Sequence, residues 1–365
     1  MYPEIDTPAL VIDLDVVRAN VTEMAKVAAT NDVGLRPHIK THKIPELARM
    51  QIEAGAVGIT CAKLGEAEVM ADAGIDDILL AYPIWGEPKL RRLAALRERA
   101  RVRVSLDSPD VAAGLGRLGL RTGSPVEVLV EVDTGMHRLG RPPGRQTADL
   151  VAEIAAIPGV EVVGLLTLAG HAYRSRSWEE LLEISRREGE DLVATAELCA
   201  REGVELREIS VGSTPTARHA AEVPGVTEIR PGTYIFNDTT MMRLGVATEE
   251  TTGARVLATV VGRPSPERVV LDAGTKCLTS DGLGSPGWIS AVGLPYLRME
   301  FLNEEHGVAH LEPGHATYGE LPVGSRVQLV PSHACPVLNL FDVAHVVEDG
   351  EVVTELRVAA RGAVR

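Results

Sequence analysis

The chain has 365 residues, 45% of them hydrophobic and 24% charged, enough apolar material for a large globular domain with a smaller one beside it. A formal net charge of −14 excludes overall attraction to nucleic acid or an anionic membrane, although a small anion can still bind in a local positive pocket. Cys61, Cys199, Cys277 and Cys335 are scattered without paired spacing, which excludes a disulfide framework and fits a reducing compartment. Met1 to Asp6 shows no basic and apolar leader, and no apolar run approaches the roughly 20 residues of a membrane span. The expected location is cytoplasmic.

In chain order, Thr7–Asp13 reads as a lone strand and Leu14–Thr30 as an amphipathic helix. From Gly34 onward short apolar runs alternate with helical stretches. Candidate strands fall at 34–40, 57–61, 77–82, 102–107, 126–132, 160–167, 207–212 and 226–230. Between them lie helical segments such as Lys43–Ala54, Leu64–Ala73, Glu87–Ala100 and Trp178–Glu202. Strand–helix units in that number predict a TIM-like (β/α)8 barrel, with a doubly wound open sheet as the rival. After Leu244, valine-rich runs recur between Gly/Pro turns and long helical periodicity disappears, predicting a mainly antiparallel β domain. The expected division is a barrel over 14–243 and a β domain formed by 1–13 plus 244–365.

In a barrel, functional groups gather at the carboxyl ends of the strands. Lys40 ends the run Gly34–Lys40, and burial without a partner favours the neutral amine that a carbonyl-condensing lysine needs. The plain alternative is a strand-end lysine whose stem reaches solvent. Gly212-Ser213-Thr214 and Arg230-Pro231-Gly232-Thr233 follow the last two strands, where small residues and hydroxyls can cradle a phosphate; each is also an ordinary turn by composition. Arg138, in the segment Glu131–Gly140, can hold a phenolate or phosphate oxygen. His171 follows strand six as a possible general base. His333 and Cys335 come just after the run Arg326–Pro331. On an extended backbone, residues two apart share a face, so an imidazole and a thiolate could meet one divalent ion, zinc by ligand type. A buried cysteine beside a hydrogen-bonded histidine is the simpler explanation.

Together these residues resemble the fold-type III pyridoxal-phosphate enzymes related to alanine racemase, and among them the D-threonine aldolase and D-serine dehydratase branch. The motifs are RPHIKTHK (Arg36–Lys43), VDTGMHRLG (Val132–Gly140) and His333-x-Cys335 within PSHACPVLNLFD, and the likeness runs along nearly the whole chain. The resemblance implies pyridoxal 5'-phosphate on Lys40, its phosphate held by Thr214, Gly232 and Thr233 with Gly212 and Ser213 in support. It places Arg138 near the ring oxygen and Tyr173 beside the pyridine ring, and leaves open whether Arg230 or Tyr173 meets the ring nitrogen. It also implies one divalent metal (zinc, manganese or magnesium) on His333 and Cys335, and a homodimer. The implied activity is a lyase acting on D-3-hydroxy amino acids. Retro-aldol cleavage to glycine and an aldehyde is favoured by His171, and dehydration to a 2-oxo acid and ammonia by Cys335. A racemase and a non-catalytic pyridoxal-phosphate carrier are weaker alternatives.

Overall fold

A computed structural model describes residues 1–281 and 289–365. The chain enters through strand β1 (Ala9–Asp13) and helix α1 (Leu14–Thr30). Val17, Val21, Met24 and Ala28 recur on one face of α1 and are all buried, as the amphipathic pattern requires. Two compact units follow. One comprises Val21–Lys40, Pro45–Gly232 and Gly362–Arg365; the other comprises Met1–Asn20, Thr41–Ile44 and Thr233–Arg361.

The first unit is the barrel. Its strands are β2 (Gly34–Leu35), β3 (Ile59–Cys61), β4 (Asp77–Leu80), β5 (Arg101–Leu106), β6 (Val126–Glu131), β7 (Val160–Leu166), β8 (Glu208–Val211) and β9 (Glu228–Ile229). They pair in the order β2-β9-β8-β7-β6-β5-β4-β3, and every pair is parallel. The near-continuous burial of β5 and β6 is the signature of strands covered on both faces. Helices return the chain between strands: α2 (Pro45–Glu53), α3 (Leu64–Asp72), α4 (Glu87–Arg97), α5 (Pro109–Thr122), α6 (Arg145–Ala155) and α7 (Trp178–Arg201). Local chemistry sets their ends. Ser108 Oγ accepts from the Asp110 amide at 3.2 Å to start α5, and Gly123, at φ 71°, ends it in the left-handed conformation.

The expected strand 34–40 is shorter than its apolar run. Pro37 has no N–H to donate to a ladder, so regular pairing stops at Leu35 and Ile39–Thr41 turns as a short 3-10 helix. Between β2 and β3 the sheet is closed by an isolated bridge, His38 to Thr60. Two backbone bonds accompany it, Val57 N–H to Leu35 O at 2.9 Å and Thr60 N–H to Pro37 O at 2.8 Å. A charged lattice fills the barrel interior beneath. Arg36 donates to Glu228 at 2.6 Å and Asp77 at 2.5 Å, and Arg103 donates to Glu208 at 2.7 Å and also to Asp77. Burial alone would lower the Arg36 pKa, but its carboxylate partners outweigh it and raise it.

The second unit is a sheet in the order β13-β14-β11-β10-β1-β16-β17, built from β10 (Ala254–Gly262), β11 (Arg268–Leu271), β13 (Leu297–Leu302), β14 (Gly307–Leu311), β16 (Val343–Glu348) and β17 (Glu351–Arg357) with β1. Strand β15 (Arg326–Val330) pairs with β10 and with β12 (Ser290–Ala291). All these pairings are antiparallel except β1 with β16. Val256, Ala258, Leu271 and Leu329 anchor its core. Asp272 accepts from the Thr7 hydroxyl at 2.6 Å and the Thr259 amide at 2.7 Å, and a helical turn, α10 (Thr275–Leu278), follows it. Short helices α8 (Ala217–Ala220), α9 (Thr239–Arg243) and α11 (Ala334–Leu338) complete the chain. Among the described residues no helix is long and apolar enough to cross a membrane.

Candidate active site

The carboxyl ends of the barrel strands surround a cavity of about 420 Å³. Lys40, Arg138, Gly212 and Arg230 line it, joined by His38, Lys63, Tyr82 and Glu131. A larger groove of about 640 Å³ runs along α7 beside Arg186 and Val223, away from the strand ends, and gathers no such set of groups. Lys40 is half-buried, and among the described residues its ammonium has neither a hydrogen bond nor an ion pair. His38 stands beside it. Enclosure and the nearby cations Lys40, Arg230 and Arg138 push the His38 pKa well below its usual value, so the ring stays neutral.

Arg230 is 5% exposed and donates to Ser210 Oγ and to the Thr167 carbonyl. Ser210 in turn donates to Glu228 at 2.5 Å, joining Arg230 to the charged lattice below. Burial lowers the Arg230 pKa, while Glu228, Glu188 and Glu131 oppose that shift. Arg138 lies 3.4 Å from Glu131, whose other oxygen accepts from Ser105 at 3.1 Å. Tyr173 sits half-buried on the short 3-10 turn Gly170–Arg174 and is not among the cavity's lining residues; nor is His171 on the same turn. The His171 ring lies against Gly135, where an added Cβ would stand 3.0 Å from its Cε1. Burial lowers the His171 pKa, and its Nδ1 is buried with no hydrogen-bond partner among the described residues. Asp133 organises its own turn, accepting from the Gly135 amide at 3.0 Å, the His137 amide at 2.9 Å and the His137 ring at 2.9 Å.

The turn after β8 is more committed than its composition implies. Gly212 takes φ 94°, which favours glycine. Its amide donates to Glu188 Oε1 at 3.1 Å, and the Ser213 amide donates to Thr216 Oγ1 at 2.9 Å. The Ser213 hydroxyl is also engaged by Thr216, at 3.1 Å, so the turn's own folding uses a group expected to donate outward. Thr214 is buried in the turn after β8; Gly232 ends the barrel unit's long stretch, and Thr233 begins the stretch grouped with the sheet.

Glu188 is a site residue that the sequence did not single out. It is 1% exposed in the middle of α7, and its Oε1 accepts from the amides of both Gly212 and Ala169. One carboxylate therefore ties the turn after β8 to the turn carrying His171. Burial raises the Glu188 pKa against the hydrogen bonds that lower it. Glu188→Ala is expected to cost about 1–3 kcal/mol of stability, because two buried amides lose their acceptor. Glu188→Gln keeps a carbonyl oxygen and should recover most of the loss. Thermal unfolding measures both, and equal midpoints for the three proteins would refute the role.

In the sheet unit, the extended-backbone argument for His333 and Cys335 is replaced by a helix start. Strand β15 ends at Val330; His333 is the N-cap of α11, at φ −144°, and Cys335 lies in its first turn. Asp238 fixes that geometry. Its Oδ1 accepts from the Met241 amide and its Oδ2 from the Ala334 amide, both at 3.0 Å. Burial pushes the Asp238 carboxyl up to about 6. Burial alone would lower the His333 pKa, but Cys335, Asp238 and Asp281 outweigh it and push it up to about 9. The His333 Nδ1 lies 3.0 Å from Asp281 Oδ2. The Cys335 sulfur lies 3.2 Å from Thr41 Oγ1 and 3.6 Å from Thr233 Oγ1. Among the described residues no group of three or more His, Cys, Asp or Glu side chains is placed to hold a metal ion.

The sequence profile described as alanine racemase, N-terminal domain, matches residues 12–240, and that of a putative serine dehydratase domain matches residues 253–347. The chain belongs to the family that joins these two domains. Within this family it is 36% identical to a D-threonine aldolase of Arthrobacter sp, over 98% of this chain and 93% of that one. It is 33% identical to a D-threo-3-hydroxyaspartate dehydratase of Delftia sp. (strain HT23), over 96% of both chains. The crystal structure of a D-threonine aldolase from Filomicrobium marinum superposes with a TM-score of 0.92 at 33% identity, over 99% of this chain and 97% of that one. A D-threo-3-hydroxyaspartate dehydratase solved as a cysteine-to-alanine variant in the metal-free form superposes with a TM-score of 0.89 at 34% identity, over 97% of both chains.

Proposed function

We propose that this chain is a pyridoxal-phosphate- and metal-dependent lyase that cleaves D-3-hydroxy amino acids of the D-threonine type to glycine and an aldehyde. One observation carries the reading: in a chain of this family, the unpartnered Lys40 amine converges with Arg138 and Arg230 in one cavity at the strand ends.

The residues present fit the cofactor. A primary amine free of protein partners, two guanidinium groups and a glycine-led turn are the donors that an aldehyde, a phenolate and a phosphate call for. Lys40 would bear the cofactor, Arg138 would face the ring oxygen, and Gly212, Ser213, Thr214, Gly232 and Thr233 would attend the phosphate. Arg230, which lines the cavity as Tyr173 does not, is the better supported partner of the ring nitrogen. The adjacent imidazole and thiol of His333 and Cys335 are a donor set that a divalent ion would take by displacing their protons, with the His333 Nδ1 held against Asp281. When bound, the cofactor supplies an electron sink for bonds to Cα, and the metal supplies Lewis acidity towards an oxygen.

The protein's part is to hold groups and move protons. Burial keeps the His171 imidazole neutral near pH 7, so that it can accept the proton of a substrate hydroxyl. Arg230, braced by Ser210 and Thr167, presents a fixed positive charge that need not reorganise. The Lys40 amine is the group that would exchange a proton at Cα.

Cys335 favours a second reading, dehydration to a 2-oxo acid and ammonia, which also fits the likeness to the Delftia dehydratase. Incubating the purified protein with pyridoxal phosphate, a divalent metal and D-threonine separates the two. Glycine plus acetaldehyde supports cleavage, 2-oxobutanoate plus ammonia supports dehydration, and turnover of L-threonine alone would overturn both. The reading also takes the protein as a homodimer, which sedimentation at twice the 39.0 kDa chain mass would support.

A further inference from the structure

In the sheet unit, the residues from Pro331 to Cys335 are held one by one. The Pro331 carbonyl accepts from the Thr239 amide at 3.1 Å, and the Ser332 carbonyl accepts from the Thr240 hydroxyl at 2.7 Å. His333 meets Asp281, the Ala334 amide donates to Asp238, and the Cys335 sulfur has two threonine hydroxyls beside it. Thr41 Oγ1 lies at 3.2 Å and Thr233 Oγ1 at 3.6 Å. Both threonines are buried, and each belongs to a 3-10 turn, Ile39–Thr41 and Thr233–Ile235. The second turn is fixed in its own right, because the Thr233 carbonyl accepts from the amides of Phe236 at 3.0 Å and Asn237 at 2.7 Å.

Two hydroxyls on one sulfur are more than a neutral thiol needs. A thiol is a weak donor and a weak acceptor, and a cysteine of the core packs as a small apolar group without such company. A thiolate has no proton to give, accepts from several O–H groups at once, and is the form that a metal binds. While the sulfur keeps its proton, one of the two contacts can run from S–H to a threonine oxygen. Once that proton is displaced, both hydroxyls must donate to the sulfur.

We propose that Thr41 and Thr233 are positioning residues for the metal, their two hydroxyls holding the Cys335 sulfur as the thiolate that a divalent ion binds. The inference rests on the metal-dependent reading above and adds the groups that set the sulfur's donor strength. As the sulfur–metal bond forms the S–H bond breaks, the proton leaves to water, and both threonines keep theirs. A hydrogen bond to a thiolate draws charge away from the sulfur. Less of the ion's own charge is then cancelled by its ligand, and more is left to act on an oxygen of the substrate.

The test uses the full chain loaded with pyridoxal phosphate, with zinc and cobalt(II) ions as probes, as wild type, Thr41→Val, Thr41→Ser and Thr233→Val. Thr41→Val should lower zinc affinity by roughly tenfold to a hundredfold, the usual effect of losing a ligand's hydrogen-bond partner, and Thr41→Ser should keep most of it. Thr233→Val, which removes the longer contact, should lose less; it decides the question if circular dichroism shows Thr41→Val unfolded. A threonine that only supports the fold would also cost affinity when lost, so the deciding readout is the sulfur-to-cobalt charge-transfer band, taken as the difference between cobalt-loaded and cobalt-free protein. Without a hydrogen bond the sulfur electrons rise in energy, and the band should move to longer wavelength in the valine variants but not in Thr41→Ser. A band that stays in place, zinc affinity unchanged in both valine variants, or no sulfur band in the wild type would overturn the proposal. None of these measurements needs turnover. Shifted bands in a protein that converts no amino acid would sink the lyase reading and leave the role of the threonines standing.

Discussion

Lys40→Ala is expected to abolish the visible absorbance of bound pyridoxal phosphate and to cut turnover by roughly a thousandfold or more, the scale of removing a covalent catalyst. Lys43→Ala should leave both largely intact, although the two lysines stand three residues apart in one motif. Their surroundings differ. The Lys43 ammonium donates to Asn339 Oδ1 at 2.8 Å and its residue is 7% exposed, so it is already spent on structure. The Lys40 amine lines a cavity without a partner among the described residues. Losing the Lys43 bond should cost about 1–3 kcal/mol of stability, read as a lowered unfolding midpoint with the spectrum unchanged. Loss of the absorbance in the Lys43 variant and its survival in the Lys40 variant would reverse the assignment.

The second large effect concerns the metal. His333→Ala should lower divalent-metal affinity by more than about a hundredfold, since removing a ligand exceeds the usual cost of disturbing its outer partners. Cofactor absorbance should remain. Metal analysis after dialysis against chelator reads the first quantity and a spectrum the second. Chelation should silence the wild type, and adding zinc, manganese or magnesium back should identify the ion that restores it. A His333→Ala enzyme fully active in chelator would remove the metal from the proposal.

The barrel was legible because its strands advertise themselves. Residues 128–130 and 162–166 are buried without a break and carry no polar side chain, and the helix between them carries one buried stripe. Helix α1 could be read to its ends for the same reason. The motif around Lys40 was misread as geometry. Gly34–Lys40 looks like a strand, yet Pro37 lacks the donor that pairing needs, and Lys40 rides a 3-10 turn. His333 and Cys335 meet through a helix start set by Asp238, a residue far off in sequence, and no local spacing rule encodes that. Glu188 was invisible for a related reason. A glutamate inside a helix of 24 residues looks like every other charge on that helix until folding buries it beneath two turns.

The seam of the barrel sits beside its chemistry. Between β2 and β3 the ladder thins to the single His38–Thr60 bridge and two backbone bonds, and Lys40 follows two residues later. A ring of strands opens first where fewest bonds span it, so amide exchange in the empty protein should begin at this join. A molecule tethered at position 40 works as a clasp on that join, because whatever binds only the closed ring resists its opening. On the proposed reading, catalyst and rivet would be one covalent link, and a cell short of vitamin B6 would hold a looser protein as well as an idle one.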